Sequence, residues 1–133
     1  MEYVVIDTSA LLAVLLNEPA RPALIRATEG YGLVGAPTLP WEVVNALVAG
    51  FRRKRLSASQ VGQAWASYQS VPVRLARINA EHALEIAMEA GLYAYDAYVL
   101  ETASAERLPL LTLDRGLERA AHRMGLRMRE FEQ

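Results

Sequence analysis

Cysteine is absent from the 133 residues, so disulfides and thiolate metal sites are excluded. Histidine occurs twice, at His82 and His122. Neither has a second ligand at metal spacing, and both read as structural or solvent-facing. No apolar run approaches the roughly 20 residues that a membrane helix needs. The first residues read as a strand rather than a signal peptide, so a cytoplasmic protein is the simple expectation. Lysine occurs once, at Lys54, against thirteen arginines, a skew that suits phosphate contact but that coding bias also produces. A net charge of −1 rules out a polycation drawn to nucleic acid by bulk charge. Aspartate is scarcest among the acids, with three residues against twelve glutamates. Where those three fall is the most informative feature of the chain.

What is present is apolar. Hydrophobic residues make up 53% and charged residues 22%, a globular composition somewhat greasy for a free monomer. That points either to a well-filled core or to a partner surface. The length suits one domain over residues 1–133.

The chain is organised around Tyr3-Val4-Val5-Ile6-Asp7-Thr8-Ser9. Its apolar, largely β-branched run predicts a strand buried on both faces, the habit of a parallel sheet. Thr8 and Ser9 offer hydroxyls to cap the helix that begins with Ala10. Asp7 is thereby delivered to the carboxyl edge of a sheet, where open α/β proteins place ligands.

A second short helix is expected from Arg21 to Thr28. Gly30, Gly32 and Gly35 match G-x-G-x-x-G, but a helix precedes them and Leu33-Val34 reads as a strand. A dinucleotide loop needs the reverse context, so these glycines end a helix and start a strand. Pro40 opens a helix with Glu42 in its first turn and Asn45 one turn on, on nearly the same face. Phe51-Arg52-Arg53-Lys54-Arg55 closes it with cations that suit either a helix C-terminus or RNA phosphates.

Ser57 caps a further helix, and Val71 to Leu75 alternates like an edge strand, where Pro72 is tolerable. Asn79 caps a helix ended by Gly91. The next carries Asp96 in its first turn, with Val99, Leu100 and Ala103 on its packing face. Pro109-Leu110-Leu111-Thr112-Leu113-Asp114 repeats the opening grammar of strand, hydroxyl and aspartate before a helix from Arg115 to Arg123. Leu126 to Arg129 alternates as a last edge strand. Alternating helices and short strands define an α/β fold with a mostly parallel sheet.

Asp7 and Asp114 end strands, while Glu42 and Asp96 open helices. If the two aspartate-ending strands are neighbours, all four carboxylates can converge on one edge. Each acid taken singly is more often a cap. Converged, they repel: a pair about 4 Å apart costs on the order of 4 kcal/mol at an effective dielectric of about 20. Either some are protonated or a cation joins them. An all-oxygen set suits Mg²⁺ or Mn²⁺, ions that work on phosphate esters. No phosphate loop or nucleophile elbow competes.

The stretches Val5-Ile6-Asp7-Thr8-Ser9, Glu42-Val43-Val44-Asn45, Tyr95-Asp96-Ala97 and Leu111-Thr112-Leu113-Asp114-Arg115 together resemble the PIN domain, specifically the small VapC-type toxins of toxin–antitoxin pairs. The resemblance implies a three-layer α/β/α sandwich and a Mg²⁺- or Mn²⁺-dependent endoribonuclease. Asp7, Glu42, Asp96 and Asp114 match the family's acidic positions, serving as catalytic and metal-binding residues. Thr8 and Thr112 match its common hydroxyl positions, and Asn45 is a further candidate for positioning substrate or water. The implied chemistry is in-line attack by water on an RNA phosphodiester, leaving 5′-phosphate and 3′-hydroxyl ends. A homodimer, silenced by a small antitoxin protein, is the implied assembly. Two other readings keep the same residues: a PIN nuclease of RNA maturation, and a non-catalytic module whose acids serve only as caps.

Overall fold

The computed structural model describes residues 1–132. The elements run β1 (Glu2–Ile6), α1 (Thr8–Leu15), α2 (Arg21–Thr28), β2 (Tyr31–Gly35), α3 (Leu39–Arg52) and α4 (Ala58–Ser70). They continue with β3 (Val73–Leu75), α5 (Ala80–Ala90), α6 (Ala94–Glu106), β4 (Leu110–Leu111) and α7 (Arg115–Arg123). The strands pair in the order β3-β2-β1-β4, every neighbour parallel.

Strand alternation explains the layers. Val4 and Ile6 face one side of the sheet, into a core built with Leu11, Leu24, Leu39, Val43 and Leu47 of α1, α2 and α3. Val5 faces the other side, packing with Val34, Val99, Leu100, Leu117 and Ala120. Both faces of β1 are therefore covered by helices, which is why its sequence reads as an unbroken apolar run. The result is the expected α/β/α sandwich.

Some expectations need correction. Leu126–Arg129 is not a strand: a single parallel bridge joins Met128 to Leu110, flanked by Leu110 N–H to Arg127 and Arg129 N–H to Leu110. The strand expected over Pro109 to Leu113 shrinks to Leu110–Leu111, because the backbone N–H groups of Leu113 and Asp114 turn to side-chain hydroxyls instead. The edge strand starts only at Val73, beyond Pro72, which has no N–H to give.

The glycine triplet has a local explanation. Gly30 ends α2 with φ +78°, a conformation that favours glycine. A Cβ on Gly35 would lie 2.6 Å from the Leu39 side chain, so the residue lets α3 close onto β2. No described helix is long and apolar enough to cross a membrane.

Candidate active site

β1 is paired on one side with β2 and on the other with β4, so the chain reverses its direction of sheet growth between β1 and β4. That is a topological switch point, where the carboxyl ends of strands leave a crevice. Asp7 follows β1 and Asp114 closely follows β4, making the two aspartate-ending segments neighbours. α3 and α6 each present an acid from the first turn, Glu42 and Asp96.

Asp7 is buried and held by four contacts. Its Oδ1 accepts from Ala10 N–H at 3.0 Å, so Asp7 itself is the N-cap of α1. This corrects the capping role expected of Thr8 and Ser9. Ser9 Oγ lies 2.8 and 2.9 Å from the two Asp7 oxygens, and Thr112 Oγ1 donates to Oδ2 at 2.6 Å. The direction of those hydroxyl protons is fixed by the backbone. Leu113 N–H donates to Ser9 Oγ and Asp114 N–H to Thr112 Oγ1, each at 3.0 Å. With a lone pair engaged in this way, each hydroxyl turns its own proton to the carboxylate. Two relays thus tie the β4–α7 turn to Asp7.

Glu42 is held by a different pair. Thr8 Oγ1 donates to Oε1 at 3.2 Å and Thr38 Oγ1 donates to Oε2 at 2.7 Å. Thr38 is the N-cap residue of α3, yet its hydroxyl makes no capping bond because it serves the carboxylate. Asp114 caps α7 through Leu117 N–H at 3.0 Å. Asp96 sits half-buried behind Tyr93, an N-cap with no capping hydrogen bond. Asn45 lies exposed on α3, one turn beyond Glu42, and its side chain joins no hydrogen bond of the cluster among the described residues.

The four acids feel one another's charge. Burial pushes the Asp7 carboxyl above its ordinary range against its three hydrogen-bonding neighbours, and the charge of Asp114 adds to the rise. Burial raises Glu42 likewise, opposed by Thr38 and Thr8 and reinforced by Asp7 and Asp96. Asp96 is raised by desolvation and then by Asp114. Among the described residues, no arginine, lysine or histidine forms an ion pair with any of the four. His82 lies 3.8 Å from the buried Glu101 and His122 lies 3.7 Å from Glu118; both are largely exposed and neither pairs with the acids.

An all-oxygen donor set of mutually repelling carboxylates fits a hard divalent cation by its chemistry. Among the described residues no three acids stand at distances that would ligate one ion, so the structure supplies the donors without a formed coordination shell. A cavity of about 690 Å³ opens beside Tyr3, Tyr31 and Pro109, at the amino-terminal ends of β1, β2 and β4, and none of the four acids lines it. The acids stand on the other edge.

Sequence reasoning allowed all four acids to meet at one edge if the two aspartate-ending strands were neighbours, as they are, and it named Thr8 and Thr112. It missed Thr38, and it read Ser9 only as a cap. Thr38 precedes Glu42 by four residues, one helical turn, a spacing that signals a side-chain contact. Ser9 carried no signal separable from capping.

The parallel switch-point sheet and its acidic edge define an α/β fold of the PIN type. The PIN domain family model matches residues 4–123, and the chain belongs to that family, which supports a nuclease hydrolase. No curated protein matches the chain. Among solved structures, PAE2754 from Pyrobaculum aerophilum is similar at TM-score 0.69 and 26% identity, over 90% of this chain and 79% of that one. The Mycobacterium tuberculosis toxin VapC20, described as cleaving the sarcin–ricin loop, is similar at TM-score 0.64 and 13% identity, over 88% and 94%. VapBC2 from Rickettsia felis, solved with a DNA fragment from its promoter, gives TM-score 0.68 and 13% identity, over 98% and 99%.

Proposed function

We propose that this protein is a Mg²⁺- or Mn²⁺-dependent endoribonuclease and the toxin of a VapBC-type toxin–antitoxin pair. One observation carries the reading: four carboxylates from four elements share one sheet edge and are coupled by charge, with no ion-paired cation among the described residues. A purely capping role accounts for Asp7 and Asp114, which accept backbone N–H groups. It leaves Glu42 and Asp96 unexplained, since neither caps a helix.

In this reading Asp7, Glu42, Asp96 and Asp114 are the catalytic and metal-holding residues. A bound divalent cation would supply a water of lowered pKa and offset negative charge on the phosphoryl group. Asp7 and Glu42 are held in fixed orientations by Ser9, Thr112, Thr8 and Thr38, so little reorganisation is needed when charge develops nearby. Thr8 and Thr112 act as positioning residues through those carboxylates, and Asn45, exposed one turn beyond Glu42, is the candidate for positioning substrate or water. The open edge suits a polymer laid across it. VapC20 is a toxin, and a toxin–antitoxin complex from Klebsiella pneumoniae shares the fold at TM-score 0.56 and 19% identity, over 84% of this chain and 86% of that one, which supports a small antitoxin protein as partner. The chain works as one domain over residues 1–133, as a homodimer, in the cytoplasm.

The test is cleavage of a mixed RNA substrate with Mn²⁺ or Mg²⁺, with and without chelator, beside Asp7→Asn. Cleavage abolished by chelator and by Asp7→Asn supports the reading; cleavage that survives both overturns it. Growth arrest on expression, relieved by co-expressing the small protein encoded beside it, supports the toxin assignment. Unimpaired growth overturns that part alone and leaves an RNA-maturation nuclease.

A further inference from the structure

The turn between α3 and α4 concentrates charge that the fold does not use. Arg52, Arg53, Lys54 and Arg55 are consecutive and exposed, and none forms an ion pair among the described residues. They are four of the fourteen basic side chains in a chain whose net charge is −1. Their side chains are not needed to close the helix. Backbone N–H groups already take the last carbonyls of α3: Arg53 donates to Ala49, Lys54 to Phe51, and Arg55 and Leu56 both to Gly50. Lys54, the one lysine of the chain, stands at φ +60°, in the left-handed region where glycine is the usual residue. A charge is thus kept where the backbone asks for no side chain. The turn is also fixed in place, because Leu56 folds over Gly50, where a Cβ would lie 2.7 Å from its Cδ1.

We propose that this turn is a second RNA-binding site, gripping the backbone of the strand whose scissile phosphodiester lies at the acidic edge. The proposal rests on the nuclease reading for its ligand and adds where the affinity comes from. Three observations select RNA as the occupant. The first is charge. An edge of four carboxylates repels a polyanion, and no cation pairs with any of the four among the described residues, so the grip has to come from elsewhere. Four exposed cations in one turn suit successive phosphates, three of them as guanidinium forks that bind phosphate oxygens in pairs.

The second is an aromatic ring among the cations. Phe51 heads the run and is 51% exposed. With Arg52, Lys54, Arg55 and Gln60 it lines a cavity of about 580 Å³. Unpaired nucleotides are held in this way, the base on an aromatic face and the phosphates on neighbouring cations. An acidic peptide would use the cations and leave the ring idle. The third is alignment. Arg53 lies eleven residues beyond Glu42, roughly 16 Å along the helix axis and, at about 3.6 residues per turn, within about 20° of the same face. Between them that face carries only Asn45, Ala46 and Ala49. A strand can therefore follow one face of α3 from Glu42 to the cationic turn without meeting a bulky side chain.

The test measures binding on the full chain carrying Asp7→Asn, in chelator, so that cleavage does not enter. A fluorescein-labelled single-stranded oligoribonucleotide is titrated at several salt concentrations. Arg52→Gln, Arg53→Gln, Lys54→Gln and Arg55→Gln combined should weaken binding at low salt by about tenfold or more. They should also flatten the dependence of log K on log salt by about 2–3, at about 0.7 per phosphate contact. Phe51→Leu should weaken binding several-fold at an unchanged salt slope. Lys54→Gly, which suits the left-handed backbone, should keep or raise the Tm while lowering the slope by about 0.7. With Asp7 restored and metal present, the fourfold variant should lose kcat/KM through KM. Unchanged affinity and slope overturn the proposal, and a fall in Tm as the only effect returns the cations to the helix C-terminus. Poly-L-glutamate bound by the unmodified turn and released by the fourfold variant, with RNA binding intact, overturns it as well and assigns the turn to an acidic protein partner. Cleavage with KM unmoved by the fourfold variant leaves a nuclease without this site. RNA binding that depends on the turn in a protein that cleaves nothing supports the site and overturns the nuclease reading alone.

Discussion

The Thr112 hydroxyl donates to Asp7 Oδ2 at 2.6 Å, joining two residues 105 positions apart in the chain. The same hydroxyl accepts Asp114 N–H, so one side chain fixes both a carboxylate and the entry to α7. Thr112→Val keeps the shape and deletes both bonds. A buried carboxylate left short of a donor costs about 1–3 kcal/mol. Urea unfolding at neutral pH should show a loss of that size for Thr112→Val and a much smaller one for Thr112→Ser. An unchanged midpoint for Thr112→Val would show that the hydroxyl does not hold Asp7.

The raised carboxyls of Asp7, Glu42 and Asp96 set the direction of pH dependence. A carboxyl whose folded pKa lies above its unfolded value binds more protons folded than unfolded between those two values. Stability therefore falls as pH rises through that window, and the favourable contribution is complete only below the unfolded value. The metal-free protein should melt at higher temperature at pH 5 than at pH 7. Asp7→Asn, which removes the buried charge, should raise the Tm at pH 7 and flatten the profile. A metal-free Tm that climbs steadily from pH 5 to pH 7 would contradict the burial of these acids.

The centre of the sheet was legible because β1 and β4 are covered on both faces where they pair and so spell apolar runs, Val4 to Ile6 and Leu110-Leu111. Both Arg21–Thr28 and Arg115–Arg123 agree with their expected limits, since proline, glycine and capping acids punctuate them. The last segment was not legible. Leu126 to Arg129 alternates as a strand would, but it meets β4 where that strand has two residues, so one bridge is all it makes. The acids were legible because aspartate is rare here and poorly suited to strand ends without a reason. Which hydroxyl serves which acid was not. Thr8 caps nothing and instead reaches Glu42, 34 positions away, a pairing that depends on how α1 and α3 pack.

Thr8 and Thr38 hold the two oxygens of Glu42, and among the described residues neither hydroxyl donates to another acid. Thr8→Val and Thr38→Val should therefore act through Glu42 alone. Removing such a supporting hydrogen bond typically costs about 10–100-fold in metal affinity or activity. Each variant should lower RNA cleavage by that factor, and on a Glu42→Gln background neither should lower it further. Additive losses on that background would assign the hydroxyls to substrate instead.

Asp96 is the cleanest probe of the ion. It is half-buried, its carboxyl is raised by burial and by Asp114, and it is bound to no capping duty at the start of α6. Asp96→Asn should therefore leave the fold intact while removing one donor from the acidic edge. A cation that binds only the folded chain stabilises it by about 2.7 kcal/mol at 100 times its Kd, several degrees in Tm for a domain of this size. Titrating Mn²⁺ or Mg²⁺ into the wild type should produce that rise, larger at pH 7 than at pH 5, where protonation of the raised carboxyls competes with the ion. In Asp96→Asn the metal-free Tm should be equal or higher and the rise should shrink by more than half. A wild-type Tm indifferent to both ions at millimolar concentration would leave the four carboxylates without their partner and favour the capping role.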